Sequence, residues 1–105
     1  MKRNRERFGV SDPRYKAQIK KLPAFFEGKL AFRFDDLCDD LEEFKAASFS
    51  ADDGLVFTLQ RYKNQPDQNT TVEADVNYTK AEVASILKAI QEVFQLMPDD
   101  IVLAD

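Results

Sequence analysis

Histidine is missing from all 105 residues. That absence removes the commonest general base and the commonest metal ligand together, along with every Ser-His or Cys-His nucleophile pair. Cysteine occurs once, as Cys38, so there is no disulfide framework and no cysteine-based metal site. A reducing, cytoplasmic compartment fits that usage. The three glycines form no Walker or dinucleotide-binding loop. No apolar run approaches the length of a membrane span, and none follows the basic first residues, so neither a transmembrane helix nor a secretory signal is expected. There is no internal repeat and no family signature. These absences point away from an enzyme, and no cofactor or metal is expected.

What is present fits one domain with a modest core. Hydrophobic residues make up 44% of the chain. The clearest element lies at Thr79 to Met97. Thr79 and Glu82 form a capping box, in which the hydroxyl accepts from the N–H of Glu82 and the carboxylate accepts from the N–H of Thr79. Val83, Ile86, Leu87, Ile90, Val93, Phe94 and Met97 then recur at helical spacing, with Glu82, Ser85, Lys88, Gln91, Glu92 and Gln95 on the other face. Pro98 ends the helix. A stripe this wide reads as core.

Earlier in the chain, Ser11-Asp12-Pro13 reads as a helix start, with Tyr15, Ile19 and Leu22 on one side of a short helix that stops before Pro23. Ala24 to Gly28 reads as a connector with Phe25 and Phe26 exposed. Lys29 to Phe34 alternates as a strand, with Leu30, Phe32 and Phe34 inward. Asp35 to Ala47 reads as a helix buried through Leu37, Leu41 and Phe44, with Cys38 as a small packing residue beside them. Asp53-Gly54 marks a turn before a strand at Leu55 to Tyr62, with which Ser48 to Ala51 pairs. After a polar loop at Asn64 to Asn69, Thr70 to Tyr78 is a strand with Val72, Ala74, Val76 and Tyr78 inward. Ile101 to Leu103 forms a last short strand. The order strand, helix, strand, strand, helix, strand is the α+β, ferredoxin-like (βαββαβ) pattern, two helices on one face of an antiparallel sheet. The fallback is a three-stranded antiparallel meander under the long helix.

Charge is unevenly placed. Residues 1–21 carry Lys2, Arg3, Arg5, Arg7, Arg14, Lys16, Lys20 and Lys21 against Glu6 and Asp12, a local +6 in a chain of net −4. The remainder therefore carries −10. The pattern predicts a basic arm with a short helix at 1–28 and an acidic domain at 29–105. Asp35, Asp36, Asp39, Asp40, Glu42 and Glu43 fill six of nine consecutive positions. On a helix, Asp35/Asp39, Asp36/Asp40 and Asp39/Glu43 are repelling i,i+4 pairs, each costing a few tenths of a kcal/mol. Tolerating them suggests a use, and the spacing is not that of a calcium loop.

The first functional expectation is a non-catalytic protein-binding module of inhibitor, adaptor or immunity type. Its acidic helix face, through Asp36, Asp39, Asp40 and Glu43, would occupy a basic surface on a protein partner. A phage- or plasmid-encoded inhibitor of a nucleic-acid-binding machine is one version. The alternative is a small nucleic-acid-associated protein that grips phosphates through Arg3, Arg5, Arg7, Arg14, Lys20 and Lys21. Binding of RNA on the open sheet face is disfavoured, because Ala31, Arg33, Thr71, Glu73, Asp75 and Asn77 would line it without an aromatic pair, leaving only Tyr62 to stack. Edge strands leave a homodimer open.

Overall fold

Alternation, rather than helical periodicity, governs the first half of the chain. The computed structural model describes residues 1–4 and 12–104. Its strands are β1 (Lys2–Asn4), β2 (Pro13–Ile19), β3 (Asp35–Cys38), β4 (Glu43–Ser50), β5 (Val56–Tyr62), β6 (Thr70–Asp75) and β7 (Ile101–Leu103). Its α-helices are α1 (Pro23–Lys29) and α2 (Lys80–Phe94). The strands form one antiparallel sheet in the order β1-β4-β5-β6-β2-β7, with β3 also on β4. The described residues make an α+β fold with seven strands and two α-helices. It does not have the expected ferredoxin-like sheet, since both the number and the order of strands differ. A meander is present as β4–β5–β6, built from 43–50 rather than from 29–34.

Three elements depart from expectation for identifiable reasons. Residues 13–19 are a strand, not a helix. Tyr15 and Ile19 fit a helical stripe, but Ala17 between them is small and hides the alternation; Ala17 and Ile19 both reach 0% exposure. β2 pairs β6 on one side and β7 on the other, with a bulge between Tyr15 and Ala17. The basic leader therefore supplies an interior strand, and the expected division at residue 28 does not describe this core.

Residues 24–34 hold neither the expected connector nor the expected strand: a helix takes the place of the first and an irregular segment that of the second. Pro23 starts α1 at a position where a helix needs no N–H. Phe26, expected outside, is fully buried against Phe94 at 4.9 Å between ring centroids. Segment 30–34 is irregular, yet Phe34 is buried and Phe32 packs on Phe49 at 5.1 Å. The carboxylate of Glu27 accepts from the N–H of Phe34 at 2.9 Å, which holds this turn of chain.

Residues 35–47 are a β-hairpin, not a helix. The repulsions a helix would impose are relieved there, because Asp36 faces Lys45 across the strands and pairs with it at 2.7 Å. Leu37 lies opposite Phe44, while Leu41, expected inside, is 93% exposed at the turn. Cys38, expected to pack, is exposed.

The second half follows expectation more closely. Thr79 and Glu82 close the capping box at 3.1 and 2.8 Å. Ile86, Leu87, Ile90 and Phe94 are buried. The helix stops three residues early, because Gln95 turns into the left-handed region at φ 57. Met97 is consequently exposed, as is Val76, which sits in the turn after β6 rather than inside.

The core lies between the helices and one sheet face. Ala47, Phe49, Phe57, Leu59, Val72, Ala74, Ala17 and Ile19 line the sheet side, and Phe26, Ile86, Leu87, Ile90 and Phe94 come down on it. Phe25, Phe26, Phe32, Phe34, Phe49, Phe57 and Phe94 form a continuous chain of ring contacts. That chain ties α1 and the irregular 30–34 segment to α2 and the central strands. Offset and edge-on pairs of this kind add about 0.5–1.5 kcal/mol each beyond their buried area.

Candidate interaction surfaces

The acidic run forms the end of the β3–β4 hairpin. Its last cross-strand pair is Cys38 with Glu43, which leaves Asp39 to Glu42 as a four-residue turn. Asp39 is the residue that holds the turn. Its Oδ1 accepts from the N–H of Leu41 and of Glu42, both at 2.9 Å, and its Oδ2 accepts from the Tyr62 hydroxyl at 3.0 Å. Asp residues satisfy turns in this way because a short side chain reaches the N–H groups two and three residues on. The Glu42 and Leu41 amides, together with the Tyr62 hydroxyl, hold the Asp39 carboxyl below its ordinary range. Burial raises the Tyr62 hydroxyl, and Asp39 beside it adds to the effect.

The four residues expected to contact a partner are thus brought to one end of the molecule, on a hairpin rather than on a helix face. They are not equivalent. Asp36 pairs with Lys45, and Glu43 with Lys63 at 3.2 Å. Asp39 is engaged by the turn. Asp40 and Glu42 have no ion-pair partner among the described residues. Leu41 stands between them at 93% exposure. Sequence periodicity had assigned Leu41 to the interior. The signal that could have exposed it is Asp39-Asp40, a turn-forming pair in the middle of the supposed helix.

The basic residues do not converge. Arg3 lies on β1 with its guanidinium over the Phe32 and Phe49 rings, at 5.7 and 5.8 Å. It also donates to Arg33 O at 2.9 Å and to Asp35 at 3.1 Å. Arg14 pairs with Asp12 at 3.2 Å. Lys21 sits over Phe25 at 5.1 Å, and Lys20 is exposed beyond the end of β2. Arg14 and Lys20 stand about 20 Å apart along the strand. Arg5 and Arg7 lie outside the described residues.

The open sheet face is mostly small and polar, with Ser48 and Thr58 sharing a 2.8 Å hydroxyl contact. Beside them Glu73 is pushed upward from its ordinary range by burial. An aromatic pair does exist at one end of this face, because Phe44 lies on β4 opposite Tyr62 with ring centroids 5.1 Å apart. It was not expected, since Phe44 had been placed on a helix. Asp39 on the Tyr62 hydroxyl puts a carboxylate where a phosphate would come.

A groove of about 890 Å³ runs between α2 and the β2–β7 edge. Tyr78, Val83, Leu87, Ile101 and Leu103 give it an apolar lining, and Lys16, Lys80 and Lys88 also line it. Among the described residues no carboxylate lines it, and none of these lysines has an ion-pair partner among them. Sequence reading had placed Lys16 in the leader and Lys88 on a solvent face, so their meeting was not legible without the β2–β7 pairing.

Among the described residues no cluster of three or more Cys, Asp or Glu side chains is arranged to hold a metal ion. None of their helices is long and apolar enough to cross a membrane. No known protein family, curated protein or solved structure matches the chain.

Proposed function

We propose that the protein is a non-catalytic binding module that presents the β3–β4 hairpin tip to a basic surface on a protein partner, as inhibitors and adaptors do. The observation that carries this is Leu41, almost fully exposed on a turn whose amides hydrogen-bond to the Asp39 carboxylate. An apolar anchor surrounded by Asp39, Asp40 and Glu42 suits a small recess lined by lysine or arginine. The apolar group would supply the affinity, and the charges would supply orientation and association rate. Holding the turn in place before binding lowers the ordering cost of association. The non-catalytic part of the reading rests on the residue inventory, which lacks histidine and leaves Cys38 exposed beside carboxylates.

The test is affinity capture from the native host with wild-type protein and two variants, Leu41→Ser and Asp39→Lys/Asp40→Lys. A partner lost by both variants, and lost by wild type at high salt, supports the reading. A partner retained equally by both sinks it. The nucleic-acid alternative has less support, because Arg3 is engaged by Phe32, Phe49 and Asp35, and Arg14 by Asp12. A gel shift at low salt that disappears in Arg14→Ala/Lys20→Ala/Lys21→Ala would reverse this ranking.

A further inference from the structure

The hairpin tip and the lysine-rimmed groove are complementary surfaces on one chain. We propose that the groove between α2 and the β2–β7 edge receives the β3–β4 tip of a second copy. The proposal rests on the reading of the tip as a recognition element and names its partner.

Leu41 would enter the apolar floor made by Val83, Leu87 and Ile101. Asp39, Asp40 and Glu42 would then face Lys16, Lys80 and Lys88, three carboxylates against three ammonium groups. Among the described residues Asp40, Glu42 and all three lysines lack ion-pair partners, so few existing pairs are broken on docking. The groove is many times the size of one leucine side chain and leaves room for the whole four-residue turn. The incoming backbone also has a place to bind. The pairs Lys20 N–H to Asp100 O and Ala104 N–H to Lys16 O mark the residues of the β7 strand that face β2. By the alternation of an antiparallel ladder, the N–H and C=O of Leu103 therefore point away from the sheet.

A chain cannot fill its own groove. β3 lies at one margin of the sheet and β7 at the other, five strand spacings or roughly 24 Å apart. The contact is therefore between copies and head to tail. A surface that meets a different surface does not close on itself as a twofold dimer does, so it yields chains or rings. One leucine and three charge pairs make a small contact, so the association is expected to be weak, with marked salt sensitivity.

Sedimentation velocity of the full chain over a wide range of concentration tests this. Wild type is expected to form species larger than a dimer at low salt and to dissociate at high salt. A tip variant, Leu41→Lys, and a groove variant, Lys80→Glu/Lys88→Glu, change only exposed side chains and are each expected to remain monomeric alone. Mixed, they are expected to form a one-to-one heterodimer and nothing larger, because one intact tip meets one intact groove and both remaining surfaces are disabled. Wild type that stays monomeric at low salt overturns the proposal, as does a groove variant that associates like wild type. The two readings fail separately. If wild type is monomeric while the tip variants still lose a host protein, the tip is a recognition element for another partner and only the copy-to-copy contact falls. If the groove variant loses a host protein that the tip variant keeps, the groove has a different occupant and the proposal falls.

Discussion

The two margins of the sheet carry opposite chemistry. At the β3–β4 end an exposed leucine is surrounded by carboxylates, and at the α2–β7 end an apolar groove is lined by lysines. The lysine margin does not match a block of the chain. The lysine margin joins Lys16 from the basic first fifth to Lys80 and Lys88 from the segment whose net charge is strongly negative. The acidic margin is lined by Lys45 and Lys63, which neutralise Asp36 and Glu43. The comparison shows that charge summed along the chain is not charge summed over the surface. The β2 strand carries a leader lysine across the molecule to a helix that begins about sixty residues later.

The largest effect should come from breaking what the two margins share. Phe94 touches Phe26 at 4.9 Å and Phe49 at 6.5 Å, and is fully buried. Phe94→Ala should cost about 3–5 kcal/mol, the usual range for emptying an aromatic site in a core. Urea unfolding followed by far-ultraviolet circular dichroism would measure it, and a loss below about 1 kcal/mol would mean that the core does not depend on this ring. A smaller change falls on the groove side alone. Thr79→Ala removes the capping hydroxyl and leaves the Glu82 N–H without its acceptor, at a cost of about 1 kcal/mol. The expected sign is a loosened first turn of α2, seen as faster amide exchange at Glu82 and Val83, with the amides of Leu41 and Glu42 unchanged. Equal acceleration at both margins would show that they are not independent.

The capping box and the apolar stripe of α2 were legible because they are local, with every residue that fixes the start of the helix within four positions of Thr79. The same holds for Asp53-Gly54, where Gly54 takes φ 87 in the turn between β4 and β5. The first half was harder to read for a physical reason. Seven residues from Pro13 to Ile19 can satisfy either a period of two or a period near 3.6, and the decision comes from β6 and β7, which are distant in sequence. In 35–47 the repelling carboxylate pairs were visible, and they argued against the helix as much as for a function. The hairpin wins because Asp39 caps its turn and Lys45 faces Asp36. As for the candidate surfaces, the acidic residues were found by composition, but the role of Leu41 and the whole groove depend on strand pairings that no local pattern shows.

Protonation sharpens the comparison with a still smaller effect. Asp39 and Glu73 move in opposite directions. The Glu42 and Leu41 amides lower Asp39, and burial raises Glu73. Asp39 is therefore more readily ionised in the fold than in the unfolded chain. Its contribution is present above the ordinary carboxylate range and is lost as pH falls through its lowered folded value. Glu73 has the reverse sign: the fold favours its neutral form, so its contribution is full below the ordinary range and is lost as pH rises through its raised value. The Leu41 and Glu42 amide signals are expected to shift on acidification with a midpoint below the usual carboxylate range, while Glu73→Gln gives a slightly higher Tm at neutral pH and no gain in acid. An amide midpoint within or above the usual carboxylate range would contradict the bonding described at the tip.

The smallest effect expected on stability is at the most conspicuous residue. Leu41 is 93% exposed, so its side chain loses almost nothing to water on unfolding and gains almost nothing on folding. The turn around it is held through its own backbone N–H and that of Glu42, which Leu41→Ser leaves in place. The variant should unfold within about 0.5 kcal/mol of wild type, as surface substitutions usually do. A core substitution loses stability and function together, because partner capture fails when the fold fails. Leu41→Ser should separate them, keeping the unfolding midpoint while losing partner capture. Urea unfolding and affinity capture on the same preparation measure both, and a loss of 2 kcal/mol or more would place Leu41 inside the fold's own packing rather than at a surface kept for a partner.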